Sequence, residues 1–286
     1  MKASSTSSGN RRARQICAWA FLSTLSFSPM AAVAEDAPDL LNDPFYLALG
    51  TYIVNSDTEV SLNGESGQGT NVDWENTFGG GDVTRFRFDG QWRFADRHKA
   101  RFMWFSSSRD GSRTLEEDID WGDETFPVNA QTKGEFGFDI YELAYEYAFL
   151  RRDNYEVSGT FGVHYTELEL TISAKAESSG GTLDRDISES GSVGAPLPAF
   201  GLRGQWALPY NFWIDASAQW FALSIDEYDG SLRDLRVAVT WQPKTWLGIG
   251  LGYNQFNVDV DVENNRFNGS LDWTYEGPML FYSASF

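Results

Sequence analysis

Two histidines are the only imidazoles in the chain, and one of them is placed where it could do chemistry. His164 precedes Thr166 by two residues, so on a β-strand the ring and a hydroxyl would lie on one face. Glu142 and Glu146, on what reads as the neighbouring strand, could orient that ring. Base, hydroxyl nucleophile and orienting acid are the parts of an activated nucleophile. The same residues also make a plain structural set, in which a carboxylate satisfies a buried histidine. A short motif matches by chance too often to override that plainer reading. His98 falls in the stretch Ala95-Asp96-Arg97-His98 and reads as a solvated turn residue. The chain has no phosphate loop, zinc motif or Gly-x-Ser-x-Gly elbow, so no catalytic residue, metal site or cofactor is assigned.

Carboxylates are the other chemically suggestive group. Glu116, Glu117, Asp118, Asp120, Asp123 and Glu124 crowd one segment around Trp121 and Phe126. Asp226, Glu227 and Asp229 occupy a second segment, and Asp259, Asp261 and Glu263 a third. Such clusters could hold divalent cations, although their spacing matches no EF-hand loop. A solvated, self-repelling surface explains them equally well.

The elements that must position these residues follow from the chain's patterning. Lys2, Arg11, Arg12 and Arg14 precede an apolar stretch from Ile16 to Phe27, and Ala32-Val33-Ala34 offers small residues for cleavage. Residues 1–34 therefore read as an export signal, and residues 35–286 as one domain. Cleavage there would remove Cys17, the only cysteine, and with it any disulfide or thiol chemistry. Removing the four basic residues of that segment from the 22 leaves 18 against 41 acidic ones, a net charge of −23. Such acidity argues against nucleic acid as a partner.

Beyond residue 34 no run is long and apolar enough for a spanning helix. Period-two alternation recurs instead, and it predicts ten strands. They run over 45–57, 83–94, 99–108, 134–150, 155–172, 198–208, 212–225, 232–241, 245–262 and 271–286. Tight turns at 95–98, 151–154, 209–211 and 242–244 alternate with longer polar segments at 58–82, 109–133 and 173–197. Short turns at one end and long loops at the other point to an all-β fold: one transmembrane antiparallel up-and-down barrel of about ten strands. A different reading of the 227–231 hairpin, or of the Gly277-Pro278 break, would make the count eight or twelve.

Alternation also sorts the side chains. Phe86, Phe88, Trp92 and Phe94 share the outward face of one strand, as do Tyr141, Leu143, Tyr145, Tyr147 and Phe149 on another. Arg or Lys on a lipid face costs roughly 2–4 kcal/mol near the midplane, so the charged residues of these strands must point inward. The lumen then holds Arg85, Arg87, Arg93, Arg101, Arg203 and Arg236 with Asp89, Glu142, Glu146, Asp215 and Asp234, and His164 lies among them. At about ten strands these groups should mostly meet as ion pairs. Inward Gly248, Gly250 and Gly252 leave room that keeps a narrow passage open as an alternative.

The last strand ends on Phe286, with Ala284, Tyr282 and Leu280 sharing its outward face. An aromatic terminal strand in an exported, helix-free chain resembles the assembly signal of Gram-negative outer-membrane β-barrels. That resemblance implies an outer-membrane location, insertion by the barrel assembly machinery, and contact with outer-membrane lipid and lipopolysaccharide. Acidic loops could bridge to lipopolysaccharide phosphates through divalent cations. In size and strand number the chain also resembles the omptin proteases, whose chemistry needs an Asp/His couple facing an aspartate pair at the rim. No Asp-x-His motif is present here. The His-x-Ser pair of lipid A deacylases is only distantly echoed by His164-x-Thr166. Two readings stay open: a non-enzymatic surface or structural barrel, or narrow porin-like passage, and a lipid- or peptide-hydrolysing barrel centred on His164.

Overall fold

The computed structural model describes residues 39–286 apart from 66, 80–82, 176–185, 226–227 and 264–267. The export signal, Cys17, Asp226 and Glu227 lie outside the described residues. No helix among them is long and apolar enough to cross a membrane. In chain order the elements are β1 (Phe45–Leu62), β2 (Val72–Asp73), α1 (Trp74–Phe78), β3 (Val83–Ala95), β4 (His98–Thr114), β5 (Ile119–Trp121) and β6 (Glu124–Phe126). They continue with β7 (Gln131–Arg151), β8 (Tyr155–Ala174), β9 (Ile187–Leu208), β10 (Phe212–Ile225), β11 (Tyr228–Lys244), β12 (Leu247–Glu263) and β13 (Asn268–Ser285).

Ten long strands pair antiparallel with their neighbours in sequence, and β13 pairs with β1 to close the barrel. This is the expected fold with the expected strand number. Closure leaves no sheet edge to be satisfied in a lipid environment. The seam is tied at its end by Phe45 N–H donating to Phe286 O at 2.8 Å and Phe286 N–H donating to Phe45 O at 3.0 Å. Pro278 does not break β13. The ladder to β12 runs through it, opposite Tyr253, while rungs to β1 are absent between Tyr52–Met279 and Asn55–Glu276. A proline lacks one donor, so it interrupts the ladder on one side only. β10 and β11 pair as far as Ile225–Tyr228, and Glu227 of the 227–231 stretch lies outside the described residues.

Several strands are longer than the sequence suggests. β4 reaches Thr114, β9 begins at Ile187, and β1 reaches Leu62, well into what read as loops. The reason is an inversion of polarity along the strands. In the lower part of β7, Leu143, Tyr145 and Tyr147 are exposed, whereas Glu142 and Glu146 are buried. Higher on the same strand Phe136, Phe138 and Ile140 are buried, and Glu135 and Asp139 point outward. β8 changes in the same way: Val163 and Tyr165 face out below, then Leu168 and Leu170 face in above, between outward Glu167 and Glu169. The period of two persists while its meaning reverses.

The remaining loop residues fold back over the long-loop end. Two short pieces, α1 and the β5–β6 hairpin, bring Trp74, Phe78, Trp121 and Phe126 into the core. Asp73 caps α1 through its side chain, accepting from Asn76 N–H at 2.9 Å. The two loops are stitched together: Thr70 N–H donates to Asp120 O at 2.7 Å and Gly122 N–H to Leu62 O at 2.9 Å. Gly64 permits the contact, since a Cβ there would lie 2.0 Å from Gly122 O.

Candidate functional site

The interior is built in three tiers, beginning at the short-turn end. Residues 39–43 turn across that opening and bury Leu40 and Leu41. The turn is anchored by Ser285 Oγ donating to Asp43 Oδ2 at 2.6 Å and by Arg151 donating to Leu41 O at 3.0 Å. Leu40 borders a small cavity together with Tyr46, Arg203, Asp215, Arg236 and Phe281.

The middle tier is the charge network that alternation placed in the lumen. Glu146 is its hub: Lys99 lies 2.9 Å away, Arg101 3.0 Å and Arg203 3.3 Å, and the carboxylate has no exposure. Lys99 also reaches Glu156 at 2.5 Å, which Arg93 approaches to 3.0 Å. Arg203 pairs with Asp215 at 2.7 Å, and Arg236 stands 3.7 Å from the same carboxylate. Arg87 grips Asp89 through Nε and one terminal nitrogen, with contacts of 2.9 to 3.1 Å. Asn254 Nδ2 donates to Asp234 at 2.5 Å. Of the predicted lumen residues, Arg85 alone has no partner among the described residues. Lys99 and Glu156 were missed by the sequence reading. Their phase was the available signal, because Lys99 alternates with Arg101, and Glu156 with Ser158 and Thr160.

His164 lies within this tier and is fully buried. It does not touch Glu146. Glu142 Oε2 lies 3.8 Å from His164 Nε2, and Gln219 bridges the two: Gln219 Nε2 donates to Glu142 Oε1 at 2.8 Å, and Gln219 Oε1 lies 2.8 Å from His164 Nε2. A carboxylate only accepts, which fixes the amide orientation and makes His164 Nε2 the donor. Among the described residues Nδ1 of His164 and Oγ1 of Thr166 each lack a hydrogen-bond partner, so no described hydroxyl is joined to the ring. His98 corrects its expectation too. It opens β4 half-buried, bonds Tyr145 Oη at 2.6 Å, and packs against Phe94 and Tyr147 on the outer surface.

Neighbouring side chains fill the space beside two of the inward glycines. A Cβ on Gly250 would fall 2.0 Å from Phe281 Cζ, and one on Gly248 2.2 Å from Ser283 Oγ. Phe281 and Ser283 occupy the room those glycines make.

The third tier is aromatic. Phe138 and Trp273 have ring centroids 3.9 Å apart, and Tyr275 stacks between Phe105 and Phe256 at 5.1 Å from each. Trp74 of α1 packs on Phe136 at 5.8 Å and on Trp121 at 6.4 Å. Below it, the Glu75 carboxylate accepts from Thr58 N–H at 2.9 Å, from Ser56 Oγ and Thr58 Oγ1 at 3.0 Å each, and from Arg109. Arg109 in turn lies 4.6 Å from the Phe136 ring centroid.

Comparison with known proteins bears on the scaffold. The outer membrane protease OmpT of Escherichia coli superposes with a TM-score of 0.55 at 12% identity, over 88% of this chain and 99% of that one. The fold is that of an outer-membrane β-barrel. The Ail attachment invasion locus protein of Yersinia pestis (TM-score 0.33, 10% identity, 83% and 97% of the two chains) also aligns. So does the P. putida toluene transporter TodX (0.35, 9%, 87% and 91%). At such scores neither supports an argument. No family model matches the chain, and no curated protein does.

Among the described residues no group of three or more His, Cys, Asp or Glu is arranged to hold a metal ion. Above the lipid-facing band the acidic residues form rows. Glu59 is directly opposite Asp272 on β13, which is directly opposite Asp259 on β12. Asp261 faces Asp229 on β11.

Proposed function

We propose that this protein is a sealed, non-enzymatic outer-membrane barrel that acts at the cell surface through its folded loops and does not conduct solutes. The observation that carries this reading is the filling of the interior at three successive heights: Leu40 and Leu41, the Glu146-centred ion pairs, and the Trp273-centred aromatic core. Barrels of about eight strands are just filled by side chains, and ten leave little more room. His164 adds no support to a hydrolase, because among the described residues its only hydrogen-bond partner is an amide already committed to Glu142, and no hydroxyl joins its ring. The carboxylate rows above the lipid band fit a role against lipopolysaccharide phosphates, bridged by divalent cations.

The test is conductance of refolded, heat-modifiable protein in a planar lipid bilayer. Silence is the expected result. Discrete, ion-selective steps that change when Arg87 or Glu146 is neutralised would establish a charge-lined passage and overturn the reading.

A further inference from the structure

Eight arginine and lysine side chains are buried along the described interior, and seven stand within ion-pair distance of a carboxylate, from Arg87 with Asp89 to Arg236 with Asp215. Arg85 is the eighth. It is 3% exposed, its Nε has no acceptor, and among the described residues no carboxylate lies within ion-pair reach. On β1 it is directly opposite Tyr52, which is fully buried. On the β4 side it sits one residue beyond the Phe86–Ser106 pair, beside Ser107, whose buried hydroxyl also has no partner. The charged groups that act on it are Arg109, which repels it, and Glu75, which attracts it. Glu75 is already engaged by Ser56, Thr58 and Arg109. Among the described residues two guanidiniums therefore share one carboxylate at the junction of the ion-pair and aromatic tiers.

An unpaired charge taken out of water costs several kcal/mol, and a guanidinium presents a planar fork of donors that suits an anion. We propose that Arg85 and Ser107 form a binding site for one small inorganic anion, a halide or compact oxyanion, which supplies the charge that no described residue supplies here. The hydroxyl contributes one neutral donor and the guanidinium two or more charge-assisted ones. The fully buried Tyr52 and Phe105 beside them restrict the occupant to a few atoms. An anion in this place would also brace the floor on which α1 and its Glu75 rest.

The experiment uses the refolded full chain in detergent, held in sodium gluconate and titrated with sodium chloride at constant ionic strength. A parallel titration with sodium phosphate separates a halide site from an oxyanion site. The unfolding temperature, followed by near-ultraviolet circular dichroism, should rise saturably with one of these anions. Arg85→Gln should abolish the rise, and Ser107→Ala should move its midpoint by about tenfold, as expected for one lost donor. Should Arg85→Gln fail to fold, Ser107→Ala alone carries the comparison, together with anomalous diffraction from bromide-soaked crystals. An equal response in wild type and variants, no response to either anion, or, where chloride is the anion that stabilises, no bromide peak at Arg85 and Ser107 would overturn the proposal.

Discussion

Lys99 and Glu146 are directly opposed across the β4–β7 ladder, with Nζ 2.9 Å from the carboxylate and neither side chain exposed. Around this pair Arg101 and Arg203 complete a cluster that ties together three strands of the barrel wall, β4, β7 and β9. Removing one member of such a set leaves uncompensated charge, whereas removing both members of a pair does not.

Glu146→Ala should therefore destabilise the barrel by about 3–5 kcal/mol, because three cations lose their shared acceptor. Lys99→Met combined with Glu146→Leu should cost less than the sum of the two single changes. Urea unfolding in micelles, run as a double-mutant cycle, measures the difference. Additive costs would show that the pair is not coupled.

Gly250 and Phe281 test the filling of the lumen. Gly250→Ala should cost about 1–3 kcal/mol by overpacking, since its Cβ would overlap the Phe281 ring. Phe281→Leu in the same chain should recover part of that loss. Retention of the heat-resistant folded band on electrophoresis, with and without the second change, is the readout.

Glu75 holds the cap. Glu75→Ala deprives Thr58 N–H, Ser56, Thr58 Oγ1 and Arg109 of their common acceptor. Hydrogen exchange at Thr58 and along α1 should quicken at least tenfold, while exchange in the lower half of β7 stays unchanged. Equal acceleration in both places would mean that the cap and the barrel open as one unit.

The carboxylate rows at the long-loop end give a pH dependence opposite to ordinary acid loss. Partial burial, then neighbouring carboxylates, raise the pKa of Asp259, Asp261 and Asp272 above its ordinary value. A carboxyl whose folded pKa is raised weakens the fold when ionised, and the penalty is relieved as pH falls through that value. Asp272→Asn should therefore be more stable than wild type at pH about 7, with the advantage shrinking toward pH about 4. Paired melts at the two pH values measure it. An advantage independent of pH would assign the effect to something other than charge.

The sense of each strand was legible in the sequence wherever lipid dictated it. Arg87 against Phe88, and Glu142 against Leu143, leave a membrane strand one orientation. The upper halves were harder to read, because Phe138 and Asp139 keep the same phase with the apolar residue now inside and the polar one outside, and a polar outward row resembles a loop. Trp74 and Trp121 carry no periodic signal at all. Their burial depends on two loops meeting at Thr70 and Asp120, far apart in sequence. The unpaired state of Arg85 was equally invisible, since its phase matches that of the paired Arg87 two residues away.

The reversal of polarity along β7 and β8 has a mechanical meaning. A strand that is greasy outside below Tyr141 and charged outside above Asp139 cannot slide through a bilayer in either direction without moving the wrong residues across the interface. The wall of this barrel thus carries its own waterline, which fixes how far the cap stands clear of the lipid.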